Sequence, residues 1–110
     1  MAEKSGDVVQ GTLDMLILKT LALEPMHGYG LAVRIEQMSR GVLSPNAGSL
    51  FVAFQRLQRA ALVKSEWRTT ENNRRAKYYT LTEQGRRKLN SETREWERQV
   101  AAIARILEAS

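Results

Sequence analysis

The chain has no cysteine, one histidine and two prolines among its 110 residues. Without cysteine there is neither a disulfide framework nor a thiolate metal site. His27 has no second histidine or cysteine to join it at a metal or to serve as nucleophile. The serines at 5, 39, 44, 49, 65 and 91 lack an evident base, and Gly28-Tyr29-Gly30 has neither a preceding strand nor the Gly-Lys-Ser/Thr ending of a phosphate loop. These gaps argue against an enzyme, and neither metal nor cofactor is expected. No apolar run approaches the roughly 18 residues of a membrane span. The opening MAEKSGDVV lacks the apolar stretch of a signal peptide, so the chain is read as cytoplasmic and without a membrane partner.

What is present is a hydrophobic fraction of 43% and a net charge of +5. The first suits one globular domain with a modest core. The second is unevenly placed. From Arg56 to Lys88 there are ten basic residues (56, 59, 64, 68, 74, 75, 77, 86, 87 and 88) against Glu66, Glu71 and Glu83, a balance of +7 that leaves −2 for the rest of the chain. A positive field confined to one third of the molecule is the footprint of a protein that meets a polyanion, and double-stranded DNA is the expected partner. A solvated basic surface with no partner is the plainer alternative.

Residues 1 to 9 read as a frayed start. In TLDMLILKTLALEP, Leu13, Leu16, Ile17, Thr20 and Leu21 share one helical face, which Met15, Leu18 and Leu23 widen, and Pro25 ends the helix. A central helix is expected there. After HGYG, Leu31, Ala32, Ile35 and Met38 form the inner stripe of a second helix, and Gly28 and Gly30 predict a close turn against the first. His27 is a capping or packing residue at that second helix. Ser44-Pro45 predicts the start of a third helix over about 46 to 60, with Leu50, Ala53, Phe54, Leu57 and Ala61 inward. LVKSEWRTT alternates and pairs with RAKYYTL across Glu71-Asn72-Asn73 as a two-stranded hairpin. Thr82 caps a last helix with Glu83 in its first turn.

The order is three helices, a hairpin and a long helix: mainly α with a small β-hairpin. That is a winged helix-turn-helix domain over residues 1–82, followed by a dimerisation helix over 83–110. On the third helix Ser49, Val52, Gln55, Arg56 and Arg59 oppose the apolar stripe. Ser49, Gln55, Arg56 and Arg59 are the side chains that can donate or accept at base edges. Arg68, Arg74, Arg75 and Lys77 on the wing are placed to meet phosphates or the minor groove. Arg86, Arg87 and Lys88 either extend the basic face or keep the last helix solvated.

Leu89, Thr93, Trp96, Val100, Ile103 and Leu107 are spaced 4, 3, 4, 3 and 4 apart, an a/d seam of period 3.5. At ~1.5 Å per residue the helix from Glu83 to Glu108 runs ~39 Å, longer than a three-helix core covers. A second copy of the chain is the simplest cover for the stripe, giving a homodimer that can read a two-fold operator, with Leu89, Trp96, Val100, Ile103 and Leu107 at its interface. Folding back onto the same domain is the alternative. Two Trp96 side chains near the dyad could sandwich a small aromatic effector, or merely fill the dimer core. The rival reading is a protein-interaction module that uses the long helix for another partner, with an incidental basic face.

The strings LDMLILKTLALEPMHGYGLAVRI, GSLFVAFQRL and ENNRRAKYYTLTEQGRRKL resemble the PadR family of bacterial transcriptional regulators over roughly residues 11 to 108. The length matches the family's short form, in which a single C-terminal helix makes the dimer. The resemblance implies a winged-helix homodimer that usually represses transcription and is often released by a small phenolic or drug-like effector. In the recognition helix the family pattern is commonly Gly-Ser/Thr-Leu-Tyr-Pro-Ala-Leu, whereas this chain has Gly48-Ser49-Leu50-Phe51-Val52-Ala53-Phe54. Phe51 lacks the hydroxyl a tyrosine offers to a phosphate, Val52 lacks the stiffness of proline, and Phe54 is bulkier than leucine. Contacts at 51 and 52 are therefore expected to differ from those of relatives.

Overall fold

Residues 12–110 are described by a computed structural model, and the expected frayed start at 1 to 9 lies outside them. Helix α1 (Leu13–Leu23) buries Ile17, Leu18, Thr20 and Leu21, a span too wide for a one-sided helix. The Thr20 hydroxyl donates to the Leu16 carbonyl at 2.7 Å, so the one polar side chain buried in the core among the described residues is satisfied. Pro25 ends the helix, and the chain then makes a short strand that the sequence reading lacked, β1 (Met26–His27).

His27 caps α2 (Gly28–Met38), its Nδ1 accepting the Gly30 N–H at 3.0 Å. The expected clearance of Gly28 and Gly30 against the first helix is corrected here. A Cβ on Gly30 would lie 3.1 Å from the His27 ring, and one on Gly28 would touch Phe54 at 3.5 Å. Glycine at 30 makes room for the capping imidazole. The start of α3 (Ala47–Arg59) is also shifted. Asn46, not Ser44, is the cap, because its extended backbone lets Oδ1 accept the Ser49 N–H at 2.7 Å.

Strands β2 (Val63–Thr69) and β3 (Arg75–Leu81) pair antiparallel, with Trp67 opposite Lys77 and Thr69 opposite Arg75. The expected two-stranded hairpin gains β1 on the other edge of β3, in the order β1-β3-β2, with His27 opposite Tyr78. Asn73 closes the turn at φ 61, a left-handed conformation that asparagine tolerates. The sheet supplies Val63 and Tyr79 to a core completed by Leu31 and Ile35 of α2 and by Leu50, Ala53, Phe54 and Leu57 of α3. Phe54 and Tyr79 stack with centroids 3.9 Å apart, joining α3 to β3. Burial raises the Tyr79 phenol above its ordinary pKa. Together these elements form a winged helix.

Helix α4 (Glu83–Leu107) starts at Thr82, whose Oγ1 accepts the Gly85 N–H at 2.9 Å. Its first two turns lie on α1, and Leu89, only 6% exposed, belongs to the chain's own core. The expected place of Leu89 in a dimer seam is therefore corrected. The apolar side chain is already covered within one chain, by the packing of α4 on α1. The remainder of α4 contributes to a long molecular axis of 58 Å against 34 and 20 Å. Among the described residues no helix is long and apolar enough to cross a membrane.

Two positions at the α3–β2–α4 junction have opposite demands. A Cβ on Gly85 would come within 2.1 Å of the Leu62 carbonyl oxygen, a backbone atom that cannot rotate away. Ala61, at φ 61, holds the left-handed position of a Schellman ending, with Leu62 N–H on Leu57 C=O at 2.9 Å and Ala61 N–H on Gln58 C=O at 3.0 Å. Gly85→Ala is expected to cost about 3 kcal/mol through overpacking. Ala61→Gly is expected to gain about 0.5–1 kcal/mol by relieving left-handed strain. Urea unfolding followed by circular dichroism measures both, and a neutral Gly85→Ala would show that the junction yields.

Candidate nucleic-acid interface

Burial of Leu50, Ala53, Phe54 and Leu57 leaves the opposite face of α3 to solvent. Ser49, Gln55, Arg56 and Arg59 are all exposed there, as their spacing predicted. Gly48, Val52, Gln55 and Arg59 are spaced 4, 3 and 4 apart and so form a single outward row. Arg56 and Arg59 also occupy the last turn of α3, where the helix dipole favours cations.

Arg56 has an engagement that the sequence did not announce. Its guanidinium donates to Asp14 of α1 through Nη2 to Oδ1 and through Nε to Oδ2 at 3.3 Å. The hydrogen bonds and the charge of Asp14 raise the Arg56 pKa further above its already high value. An arginine held this way must leave the carboxylate before its fork can meet a base. The other outward side chains face no such competition for their position.

The wing divides its cations between two faces. Arg75 and Lys77 share a face with Trp67, and the Arg75 guanidinium lies 5.5 Å from the Trp67 ring centre. Arg68 is on the opposite face, 5.1 Å from the Tyr78 ring centre, with its Nε donating to Glu66 at 3.0 Å. Aromatic surfaces support both arginines and limit their rotamers. Arg74 stands at the turn, where Thr70 N–H donates to its carbonyl at 2.7 Å. Among the described residues no carboxylate pairs with Arg74, Arg75 or Lys77. The last-helix cations differ, since Arg87 and Lys88 have i,i+4 partners in Glu83 and Glu92.

A cavity of about 660 Å³ separates α3 from the wing, with Phe51, Phe54, Trp67 and Tyr79 among its walls. Phe51 is 60% exposed and Val52 56%, and neither was assigned a contact by the sequence reading. The outward position of Val52 was legible from its spacing; the exposure of Phe51 beside it was not. A second cavity, of about 440 Å³, lies between α1 and α4 and is lined by Met15, Leu16, Lys19, Thr93 and Trp96. Trp96 is 43% exposed at its edge, and Val100, Ile103 and Leu107 continue the exposed apolar stripe, joined by Ile106.

The sequence matches the transcriptional regulator PadR-like family over residues 17–91, from the middle of α1 to the third turn of α4. The chain belongs to that family. PadR-like regulators bind DNA, which accords with a basic wing beside an exposed third helix. The fold is similar to that of a transcriptional regulator from Clostridium thermocellum, with a TM-score of 0.84 at 26% identity, covering 93% of this chain and 99% of the other. A PadR family transcriptional regulator from Eggerthella lenta is similar at TM-score 0.79 and 30% identity, over 92% of this chain and 86% of the other. An uncharacterized protein X from Lysinibacillus sphaericus is 24% identical over 91 residues, 83% of this chain and 84% of its own length. Membership places the chain among transcriptional regulators.

Proposed function

We propose that this PadR-like regulator is a cytoplasmic, homodimeric repressor that binds a two-fold DNA operator and has no catalytic activity of its own. One observation carries the reading. The chain exposes an apolar stripe at Trp96, Val100, Ile103 and Leu107 on the same molecule that exposes Arg74 and Arg75, with Lys77 half-buried beside them, none of the three paired with a carboxylate among the described residues. Pairing two α4 helices covers the stripe and sets two basic faces about a dyad. The functional division follows the packing. Residues up to about 89 form the DNA-binding unit, and the rest of α4 holds the partner.

Within that reading Ser49, Gln55 and Arg59 meet the major groove, with Gln55 and Arg59 reading base edges. Arg56 reads a base only by giving up Asp14, and in its held state it fixes α3 against α1. Arg68, Arg74, Arg75 and Lys77 grip the sugar-phosphate backbone beside the groove. A gel shift on random duplex DNA at low and physiological salt tests the function. Removing a cation that neutralises one phosphate flattens the slope of log K against log salt by about 0.9. Arg74→Ala with Arg75→Ala should therefore weaken binding to all duplexes alike and reduce the slope by about 1–2. An unchanged slope would remove the wing from the interface.

The dimer has a separate test. Trp96 and Val100 lie in the middle of the uncovered stripe, and truncating well-packed apolar residues costs about 2–5 kcal/mol each. Trp96→Ala with Val100→Ala should sediment largely as monomer at micromolar concentration, while retaining its helix content because both side chains are half-exposed in one chain. A variant as dimeric as its parent would show that the stripe is not the interface.

Trp96 is also the proposed seat of a small aromatic effector. It borders the cavity between α1 and α4, so two copies brought together at the dyad would present facing indoles beside apolar walls. A molecule that spread the helices would bias DNA binding through its different affinity for two dimer geometries. Titration of Trp67→Phe with planar aromatics, followed by Trp96 fluorescence, should show saturable quenching. No quenching up to millimolar ligand would leave Trp96 as dimer core alone.

A further inference from the structure

The outward row of α3 contains an anomaly. Val52 stands between Gly48 and Gln55 at the centre of the exposed face and is 56% exposed, and Phe51 beside it is 60% exposed. Neither packs into the core formed by Leu50, Ala53, Phe54 and Leu57. Helix formation does not account for them, because β-branched and aromatic residues are poorer helix formers than the alanine, lysine or glutamine an exposed position could hold. Asn46 already caps the helix, so they are not needed to start it. The helix therefore keeps an apolar pair in water at the point where its reading face begins.

A major groove offers donors, acceptors and one apolar feature, the methyl group at C5 of a pyrimidine. Gly48, one turn before Val52, carries no side chain on the outward row, so a base edge can approach that end of the helix closely. Gln55 and Arg59 continue the row with hydrogen-bonding groups. Phe51 turns toward the wing, where it lines the same cavity as Trp67 and Lys77. Lys77 on the far wall of that cavity and Arg59 further along the row supply attraction to the backbone on both flanks.

We infer that Val52 and Phe51 select 5-methylpyrimidines, taking thymine or 5-methylcytosine methyl groups against their apolar surfaces. The inference rests on the DNA-binding reading above and names what that site prefers. Burying one methyl-sized group is worth about 0.8 kcal/mol, so each recognised methyl contributes about fourfold in affinity.

The test uses the full chain and duplexes selected from a random pool at fixed salt, with binding read by fluorescence anisotropy. Deoxyuridine replaces thymidine one position at a time, and 5-methyldeoxycytidine replaces deoxycytidine in a parallel set. Thymine as the source predicts about a fourfold loss on deoxyuridine at one or two positions per half-site; 5-methylcytosine as the source predicts a comparable gain in the second set. Val52→Ser and Phe51→Ser should each erase the sensitivity at one position and leave the salt slope unchanged. Wild-type affinity indifferent to every replacement overturns the inference while the DNA-binding reading stands. So does a methyl effect that persists in the Val52→Ser, Phe51→Ser double variant. No binding to any duplex overturns both.

Discussion

The carbonyl of Leu62 is the point on which the arrangement turns. It accepts the Thr82 N–H at 3.1 Å, lies 3.0 Å from the Thr82 hydroxyl, and sits where a side chain on residue 85 would be. Leu62 follows the Schellman ending of α3 and precedes β2; Thr82 follows β3 and caps α4. One backbone group thus ties together the end of the recognition helix, both strands of the wing and the start of the long helix. The same threonine hydroxyl lies 2.7 Å from the Ala61 carbonyl, so the strained left-handed residue is held from two sides. Half-buried backbone groups of this kind are costly to leave unpaired, and these bonds add to apolar packing in setting the relative direction of three elements.

Around this joint the charges are distributed with little internal neutralisation. Arg75 and Arg68 rest on aromatic rings, and Arg74 and Lys77 have no carboxylate partner among the described residues. The arrangement leaves repulsion unrelieved in the free protein, and a polyanion relieves it on binding. Arg56 behaves differently, because Asp14 neutralises it across the α1–α3 contact. The pair is partly exposed and therefore worth little to stability. Its effect is to keep one cation of α3 out of the unpaired set, which leaves Ser49, Gln55 and Arg59 as the uncommitted polar side chains on that face.

The sequence was a guide where several residues of one periodicity agreed, although Leu23, Met38 and Ala61, each expected on an apolar face, are exposed. The stripe of α3, the alternation of β2 and the 25-residue reach of α4 were each set by several residues acting together, and Thr82 with Glu83 marked the last boundary as capping chemistry requires. It failed where one residue decides. A two-residue strand such as Met26–His27 has no alternation to detect, and it exists because β3 offers an open edge. Ser44-Pro45 looked like a helix start, yet Asn46 reaches the Ser49 N–H and displaces it. Leu89 fits a heptad equally well whether the cover is a partner or α1, and only the packing of the chain distinguishes the two. The Asp14–Arg56 pair joins residues that are 42 apart, which no local pattern records.

Because Leu89 is spent inside the domain, the first turns of α4 belong to the winged-helix core, while Trp96, Val100, Ile103 and Leu107 further along are exposed. Under the proposed pairing, a rotation of one α4 against another at Trp96 or Val100 would not be absorbed at a hinge near Thr82. The absence of room at Gly85 and the bonds to the Leu62 carbonyl prevent bending there. It is carried instead through the packed start of α4 to α1, α3 and the wing as one body. Under the proposed pairing, the distance between two recognition helices becomes a direct function of how the two long helices cross. Any ligand or mutation with a different affinity for two crossings shifts DNA binding by that difference and no more. In the proposed dimer, the close packing at residue 85 would turn the interface between copies into a control on where the two α3 faces can land.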